Sequence, residues 1–225
     1  MSDQTGQPKP VDDAMDRLHF LYFADPMCSW CYGFSPVITE LSRRFGDELP
    51  LRIVVGGLRA FNTRAMRPED KAYIRDAWTR VSAASGQVFD HAFFERDGFI
   101  YDTEPACRAV VAMRRRAPGK ALAMMSAISA AFYAGNRDTT DTGVLADVAA
   151  GLGEERDEFV ADLLAPETRN ETVGDFQFAQ QAGVGGFPCL VAGTMRDGYT
   201  LVTNGYRPLD GLPEAISAWL ARQAA

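Results

Sequence analysis

The sequence predicts an α/β fold in which a βαβ unit and a C-terminal αββα unit are separated by a long helical insertion. Three observations support this fold class. Short apolar runs of strand length lie near both ends of the chain, a helical pattern follows the first of them, and residues 64–165 are Ala-rich with helical periodicity. With 225 residues, 47% of them hydrophobic, the chain is long enough to bury a substantial core.

The βαβ unit occupies the first part of the chain. Residues 18–24 form a short run rich in Leu, Phe and Tyr, which is typical of a buried strand. An amphipathic helical pattern then extends to Gly46, with Pro36 expected to kink its first half. Residues 51–55 predict a second strand. The crossover between these two strands is expected to be right-handed.

The insertion, residues 64–165, is predicted to form a lid-like helical subdomain that sets access to a site on the remaining domain. Its segments show helix caps and apolar positions at helical spacing, and almost no β-branched runs. One helix is predicted to begin after Thr103, and others are predicted over residues 121–133, 141–150 and 155–164.

The C-terminal αββα unit completes the fold. A helix is predicted over residues 171–182, and an amphipathic helix over residues 210–221 closes the chain. Between them, residues 189–192 and 199–203 predict a hairpin. Residues 17–63 and 166–225 would then form one domain around the insertion, and this order of elements is that of a thioredoxin fold.

Composition excludes several classes of partner. The formal net charge of −7 gives no electrostatic basis for binding nucleic acid or an anionic membrane. Residues 1–16 are polar and are expected to form a flexible tail, without the cationic and apolar segments of a secretory signal. No run approaches the roughly 18 apolar residues of a membrane span. We therefore expect a cytoplasmic protein, whose cysteines serve chemistry or packing more than a disulfide scaffold.

The most informative motif is Cys28-Ser29-Trp30-Cys31, which lies between the first predicted strand and the helix that follows it. A thiol at the start of a helix meets unpaired backbone N–H groups and the positive end of the helix dipole, which favour its thiolate. Cys28 is therefore predicted to be the nucleophile. Cys31, one turn later, is predicted to resolve a mixed disulfide formed on Cys28.

The chain resembles the DsbA family of thioredoxin-fold disulfide oxidoreductases, and within it the FrnE-like branch related to 2-hydroxychromene-2-carboxylate isomerases. The likeness rests on residues 25–34, on residues 131–133 with 141–149, and on residues 183–188. It implies that Pro188 follows a cis peptide bond and packs against the two cysteines, and that the Phe187 backbone pairs with substrate. The predicted substrate-binding residues are Met27, Ser29, Trp30, Phe187 and Pro188.

The predicted function is that of an enzyme, a protein disulfide oxidoreductase of DsbA-like type. Its Cys28–Cys31 pair would exchange with protein or low-molecular-weight thiols and disulfides, and a cellular thiol reductant or oxidant would restore it. No cofactor is expected, although glutathione is a candidate substrate or reductant. Two alternatives stay open: a glutathione-dependent isomerase or transferase, and a chaperone or binding module whose dithiol traps partners.

The remaining cysteines and histidines are interpreted as structural. Cys107 is expected to lie in the core, and no second paired motif accompanies Cys28 and Cys31, so no metal site is predicted. Cys189 directly follows Pro188 and has two readings. It is either a small buried residue at the start of a strand or an accessory thiol that exchanges with the Cys28–Cys31 disulfide.

Overall fold

The computed structural model describes residues 16–223, and the predicted N-terminal tail lies outside this range except for Asp16. One mixed sheet holds four strands, in the order β2-β1-β3-β4. β1 pairs in parallel with β2 and antiparallel with β3, which pairs antiparallel with β4. The strands are β1 (His19–Ala24), β2 (Leu51–Val55), β3 (Cys189–Thr194) and β4 (Gly198–Asn204).

Eight α-helices lie within the described residues. They are α1 (Ser29–Phe45), α2 (Pro68–Ser85), α3 (Glu104–Arg116), α4 (Ala121–Tyr133), α5 (Thr142–Gly151), α6 (Arg156–Leu164), α7 (Pro166–Gln181) and α8 (Leu212–Gln223). This arrangement confirms the predicted α/β fold with a helical insertion. In the part of the chain that the structure describes, none of these helices is both long and apolar enough to cross a membrane.

Two helices contain or begin at a proline, and one of them differs from its predicted bounds. The helix α1 includes Pro36 and runs on past it to Phe45, and the predicted kink at this proline stays a prediction. The helix α7 begins at Pro166, five residues before the predicted start, because a proline is compatible with the first turn, where its missing N–H has no intrahelical partner. The Thr168 hydroxyl donates to the Asp162 carbonyl oxygen at 2.7 Å and joins α7 to the end of α6.

The sheet and the insertion share one hydrophobic core. Phe20 of β1, Ile38 of α1, Phe132 of α4 and Phe159 of α6 are all fully buried and belong to a single cluster. The helix α3 also packs against both α7 and β2. The insertion is therefore packed into the body of the protein, and the two predicted domains do not have separate cores.

Arg114 links the insertion to the end of β2. Its guanidinium donates to the Ile53 carbonyl oxygen at 2.6 Å and to Asp175 Oδ2 at 2.7 Å. Asp175 Oδ2 in turn accepts the Val55 N–H at 3.0 Å. Because this ion pair is largely buried and both partners also bond to the β2 backbone, it fixes the strand end that leads into the loop after β2.

Candidate active site

Cys28 occupies the N-cap of α1, directly after the β1 strand. Its extended backbone, with φ −94° and ψ 120°, turns the chain from the strand into the helix. The Cys28 carbonyl oxygen accepts the Tyr32 N–H at 3.0 Å, and its own N–H donates to the Asp25 carbonyl oxygen at 3.0 Å. One turn later, Cys31 lies close enough to Cys28 for that thiol to affect its ionisation. The structure thus brings the two predicted thiols together at the start of a helix.

The loop before β3 lies against this pair. The Phe187–Pro188 peptide bond is cis, and the Cys28 thiol donates to the Phe187 carbonyl oxygen with a sulfur–oxygen distance of 3.6 Å. The Phe187 ring packs directly over Gly56, where an added Cβ would lie 2.0 Å from the ring. Only glycine at this position leaves room for the ring, so Gly56 helps to set where Phe187 lies.

Cys28 opens into a cleft of about 580 Å³. The cleft is of a size that holds small molecules. Although the residue is only 6% exposed, it lines this cleft, whereas Cys31 does not. Incoming groups therefore meet the Cys28 side of the pair first. The lining residues are Met27, Cys28, Ser29, Trp30, Leu58, Arg59, Tyr73, Ile74, Ala77, Trp78, Arg80, Tyr101, Gly186 and Phe187.

The segment just before Cys28 is held by side chains from the insertion. The Ser129 hydroxyl donates to the Pro26 carbonyl oxygen at 2.7 Å, and the Tyr101 hydroxyl donates to the Met27 carbonyl oxygen at 2.6 Å. The Tyr101 and Tyr133 hydroxyl oxygens are 3.2 Å apart. All of these contacts are buried, so they restrain the backbone that carries the nucleophile.

Tyr101 provides a direct test of this restraint. Tyr101→Phe should leave the Met27 carbonyl oxygen without this donor and cost about 1–2 kcal/mol of stability. We also expect it to shift the reduction potential of the Cys28–Cys31 pair, measured by equilibration in glutathione buffers. Tyr73→Phe, an exposed tyrosine of the same cleft, is the matched control and should leave that potential unchanged. Equal potentials for wild type and Tyr101→Phe would contradict the restraint.

Asp25 is a fully buried carboxyl group beneath the dithiol. Its Oδ1 accepts the Met27 N–H at 2.8 Å, and its Oδ2 accepts the Leu58 N–H at 2.7 Å. The Cys107 thiol also donates to Oδ2, at 3.4 Å. Burial raises the pKa of Asp25, and the hydrogen bonds from Met27 and Leu58 oppose that rise. One side chain thus joins the Cys28 segment, the loop after β2 and the helix α3.

Burial also determines the state of the second thiol. It raises the pKa of Cys31 well above its ordinary value, and the hydrogen bond to Cys28 adds to the rise. Tyr22 lies beneath the pair, and burial, followed by the charge of Cys31, raises its pKa as well. Cys31 is therefore a neutral thiol near pH 7 in the reduced protein.

Cys189 is placed away from the dithiol. It pairs with Phe23 across the sheet, and both side chains belong to the cluster on the sheet face opposite Tyr22 and Cys31. Because side chains alternate between the two faces of a strand, the backbone of β3 separates Cys189 from that pair. The structure does not bring the predicted accessory thiol to the active pair, and it agrees with the reading of a buried strand residue.

Disulfide mapping distinguishes the two readings of Cys189. We expect Cys189→Ser to form the same single disulfide as wild type on oxidation, because the sheet blocks exchange between its two faces. Peptide mass mapping after alkylation under acid would show this. A disulfide joining Cys189 to either Cys28 or Cys31 in the wild-type protein would contradict the placement.

His19, His91 and Cys107 make contacts that are typical of structural residues. His19 Nε2 lies 3.0 Å from the Tyr199 hydroxyl oxygen, and His91 packs edge-on against Trp78. Cys107 is fully buried beneath Asp25. Within residues 16–223, no group of three or more His, Cys, Asp or Glu side chains is arranged to hold a metal ion.

Sequence reasoning missed Asp25, Arg59, Tyr101 and Ser129 as site residues. The aspartate had a local signal, because it lies three residues before Cys28. The other three come from the loop after β2 and from the insertion, at positions with no recognisable motif. Their place beside Cys28 depends on how distant segments pack together.

Comparisons with known proteins agree with the fold. The family model of the DSBA-like thioredoxin domain matches residues 21–217. A candidate protein disulfide isomerase from Nitrosomonas europaea is 36% identical, with 92% of this chain and 98% of that chain covered and a TM-score of 0.84. The cytosolic disulfide reductase DsbM from Pseudomonas aeruginosa has the same fold at 23% identity, with 90% and 98% covered and a TM-score of 0.75. Its structure with GSH gives a TM-score of 0.73.

Curated relatives carry a different description. The ClpXP adapter protein SpxH from Bacillus subtilis (strain 168) is 25% identical over 175 residues, which cover 77% of this chain. The match spans 57% of that relative's length, and 58% for the adapter from Halalkalibacterium halodurans. This chain therefore corresponds to somewhat more than half of those proteins.

Proposed function

This chain belongs to the family of DSBA-like thioredoxin domains, and from that premise we propose that it is a thiol–disulfide oxidoreductase. The observation that carries the proposal is the arrangement of its two thiols. Cys28 lines an open cleft at the start of α1, and Cys31 lies one helical turn behind it, near enough for Cys28 to affect its ionisation. This is the arrangement that a nucleophile and its resolving thiol require.

The proposed cycle begins with reduced protein and a substrate disulfide, RSSR. The Cys28 thiolate attacks one substrate sulfur, which forms a Cys28–S–S–R bond and releases RS⁻. Cys31 then loses its proton and attacks Cys28 Sγ, which forms the Cys28–Cys31 disulfide and releases the second RS⁻. The substrate gains two electrons and the dithiol loses two, while the Cys31 proton goes to one released thiolate and the other takes its proton from solvent. The proposed guide for the substrate backbone is the Phe187 carbonyl oxygen, which accepts a hydrogen bond from the Cys28 thiol at 3.6 Å.

Two thiols from a cellular reductant would restore the dithiol, and the reverse sequence would make the protein an oxidant. We propose the reducing direction in the cytoplasm. Support comes from the similar protein named a cytosolic disulfide reductase, whose structure is also described with GSH. Glutathione is accordingly the proposed reductant.

A coupled assay tests this function. Purified protein at catalytic concentration should accelerate the reduction of insulin disulfides by glutathione. Glutathione reductase recycles the oxidised glutathione, and the consumption of NADPH reports the rate. Cys28→Ser should fall to the uncatalysed rate, whereas Cys189→Ser should retain wild-type activity. Wild-type and Cys28→Ser proteins of equal activity would refute the assignment.

An adapter role is the second candidate, and the curated relatives named as ClpXP adapters favour it. Such a role needs a protein-binding surface and does not need the dithiol. The Cys28→Ser/Cys31→Ser double variant separates the two functions. Equal binding of ClpX by this variant and by wild type, measured by calorimetry, would support an adapter, and no binding by either would remove it.

A glutathione-dependent isomerase or transferase is the third candidate. It would bind glutathione without forming the Cys28–Cys31 disulfide. Both cysteines are present at the start of α1, which favours redox exchange. Tight glutathione binding together with an unreactive dithiol would reverse this ranking.

A further inference from the structure

We propose that the cleft selects small disulfides that carry a carboxylate group, and that Arg59 recognises this group. The inference rests on the proposed function, because it concerns which disulfides reach Cys28. It begins with the charge of the lining. Two arginines, Arg59 and Arg80, line the cleft, and no Asp or Glu side chain of the described residues does so. This cationic lining is found in a chain of formal net charge −7.

Arg59 is held in place by its backbone. It lies in the turn after β2, where the Leu58 N–H donates to Asp25 Oδ2 at 2.7 Å and the Arg59 N–H donates to Thr103 Oγ1 at 3.2 Å. A little further on, the Phe61 N–H donates to Asp102 Oδ1 at 2.8 Å. The turn is thus tied to the Cys28 side of the site and to the residues that precede α3.

The Arg59 guanidinium lies over the ring of Tyr101, with its central carbon 5.2 Å from the ring centroid. The hydroxyl of that tyrosine contacts the Met27 carbonyl oxygen, one residue before the nucleophile. The aromatic face orients the guanidinium, while its N–H groups make no ion pair or hydrogen bond with any described residue. Asp70 acts on this guanidinium only through longer-range charge attraction, with no hydrogen bond between the two side chains. A half-buried, oriented guanidinium whose N–H groups are not bonded to a carboxylate fits a carboxylate group of the substrate.

The size of the cleft favours a small molecule. Its volume of about 580 Å³ lies within the range of small-ligand sites. Arg80 of α2 is exposed at the same cleft and adds long-range attraction. A substrate with a carboxylate a few bonds from its disulfide would contact Arg59 while one sulfur meets Cys28.

Single-turnover kinetics with three probes of similar size tests the inference. The probes are 3,3′-dithiodipropionate, which is anionic, 2-hydroxyethyl disulfide, which is neutral, and cystamine, which is cationic. Pre-reduced protein is mixed with each probe, quenched in acid and alkylated, and the Cys28–Cys31 disulfide is counted by mass spectrometry. Each event transfers two electrons from the dithiol to the probe and yields two small thiols, so no further reductant is needed.

Arg59→Met keeps most of the packing on Tyr101 and removes the charge. We expect it to slow the anionic probe about 10-fold relative to the neutral probe, and to leave cystamine unchanged or faster. Arg169→Gln, an exposed arginine of α7 outside the cleft, removes the same formal charge and should leave all three rates unchanged. Raising the salt concentration should reduce the preference of wild type for the anionic probe.

Other outcomes would overturn the inference in distinguishable ways. An equal loss for all three probes in Arg59→Met would assign the residue to the support of Tyr101 alone. If Arg59→Met slows the reduction of insulin as much as that of the anionic probe, Arg59 serves polypeptide substrates as well as small ones. If wild type reduces none of the probes and does not reduce insulin, the proposed function itself fails. If wild type reduces all three at equal rates, the charge selection fails and the oxidoreductase assignment stands.

Discussion

Replacing Cys31 with serine is expected to trap the protein as a mixed disulfide on Cys28 and to lower turnover about a hundredfold or more. Without the second thiol, the Cys28–S–S–R bond is broken only by an external thiol. In wild type this external step is replaced by attack from Cys31, which lies one helical turn from Cys28. Intact-mass measurement after mixing with glutathione disulfide should show one added glutathione per chain in Cys31→Ser and almost none in wild type.

The pH dependence of wild type offers a second measurement on the same step. Burial raises the pKa of Cys31, so the residue must lose a proton before it attacks. The formation of the Cys28–Cys31 disulfide from the mixed disulfide should therefore speed up as pH rises between about 6 and 9. Cys107→Ser is the matched control, because that thiol is buried and outside the proposed cycle, and its mixed disulfide should disappear as in wild type. Rapid loss of the adduct in Cys31→Ser, without added thiol, would contradict the resolving role.

Trp78→Ala is expected to have the largest effect on stability, lowering the free energy of unfolding by about 3–5 kcal/mol. The side chain is fully buried, and its ring lies 4.7 Å from Phe94, 5.1 Å from Phe93 and 5.1 Å from Tyr133, measured between centroids. For a protein of this size, the loss corresponds to a fall of roughly 6–20 °C in Tm. Differential scanning calorimetry would measure it.

A milder substitution at the same site serves as the control. The Trp78 Nε1–H has no hydrogen-bond partner among the described residues, so Trp78→Phe keeps an aromatic ring and removes an unpaired polar group. Its loss of stability should be much smaller. Because the insertion and the sheet share a core, Trp78→Ala should still unfold in a single transition. Two separate transitions would show that residues 64–165 unfold as an independent unit.

The periodic parts of the chain could be predicted closely from sequence. The bounds of β2 and α4 agree with their predicted ranges, because each segment carries a strong local pattern and a clear stop at its end. The dithiol and the loop around Pro188 were also predictable, since a paired motif and a Gly-rich X-Pro sequence mark them. The start of α7 was predicted too late, because residues 166–170 are polar and show no apolar period.

The position of Cys189 and the contacts of Tyr101 and Ser129 could not be predicted from sequence, because they depend on strand register and on packing between distant segments. The side of the sheet on which Cys189 lies depends on its pairing with Phe23, and a shift of one residue would reverse it. Tyr101 contacts Met27 across 74 residues of sequence, and Ser129 contacts Pro26 across 103 residues. No local pattern encodes such contacts, which exist only once the insertion has packed against β1 and α1.

The buried contacts to the Pro26 and Met27 carbonyl oxygens have a consequence for protein engineering. The segment from Cys28 to Cys31 is short enough to graft into another protein. The hydroxyl groups that hold the backbone just before it, however, belong to Tyr101 and Ser129. A host scaffold that received only Cys28 to Cys31 would leave those anchors behind. Its redox behaviour would then follow the host, and a faithful graft would have to import α4 and the Tyr101 loop as well.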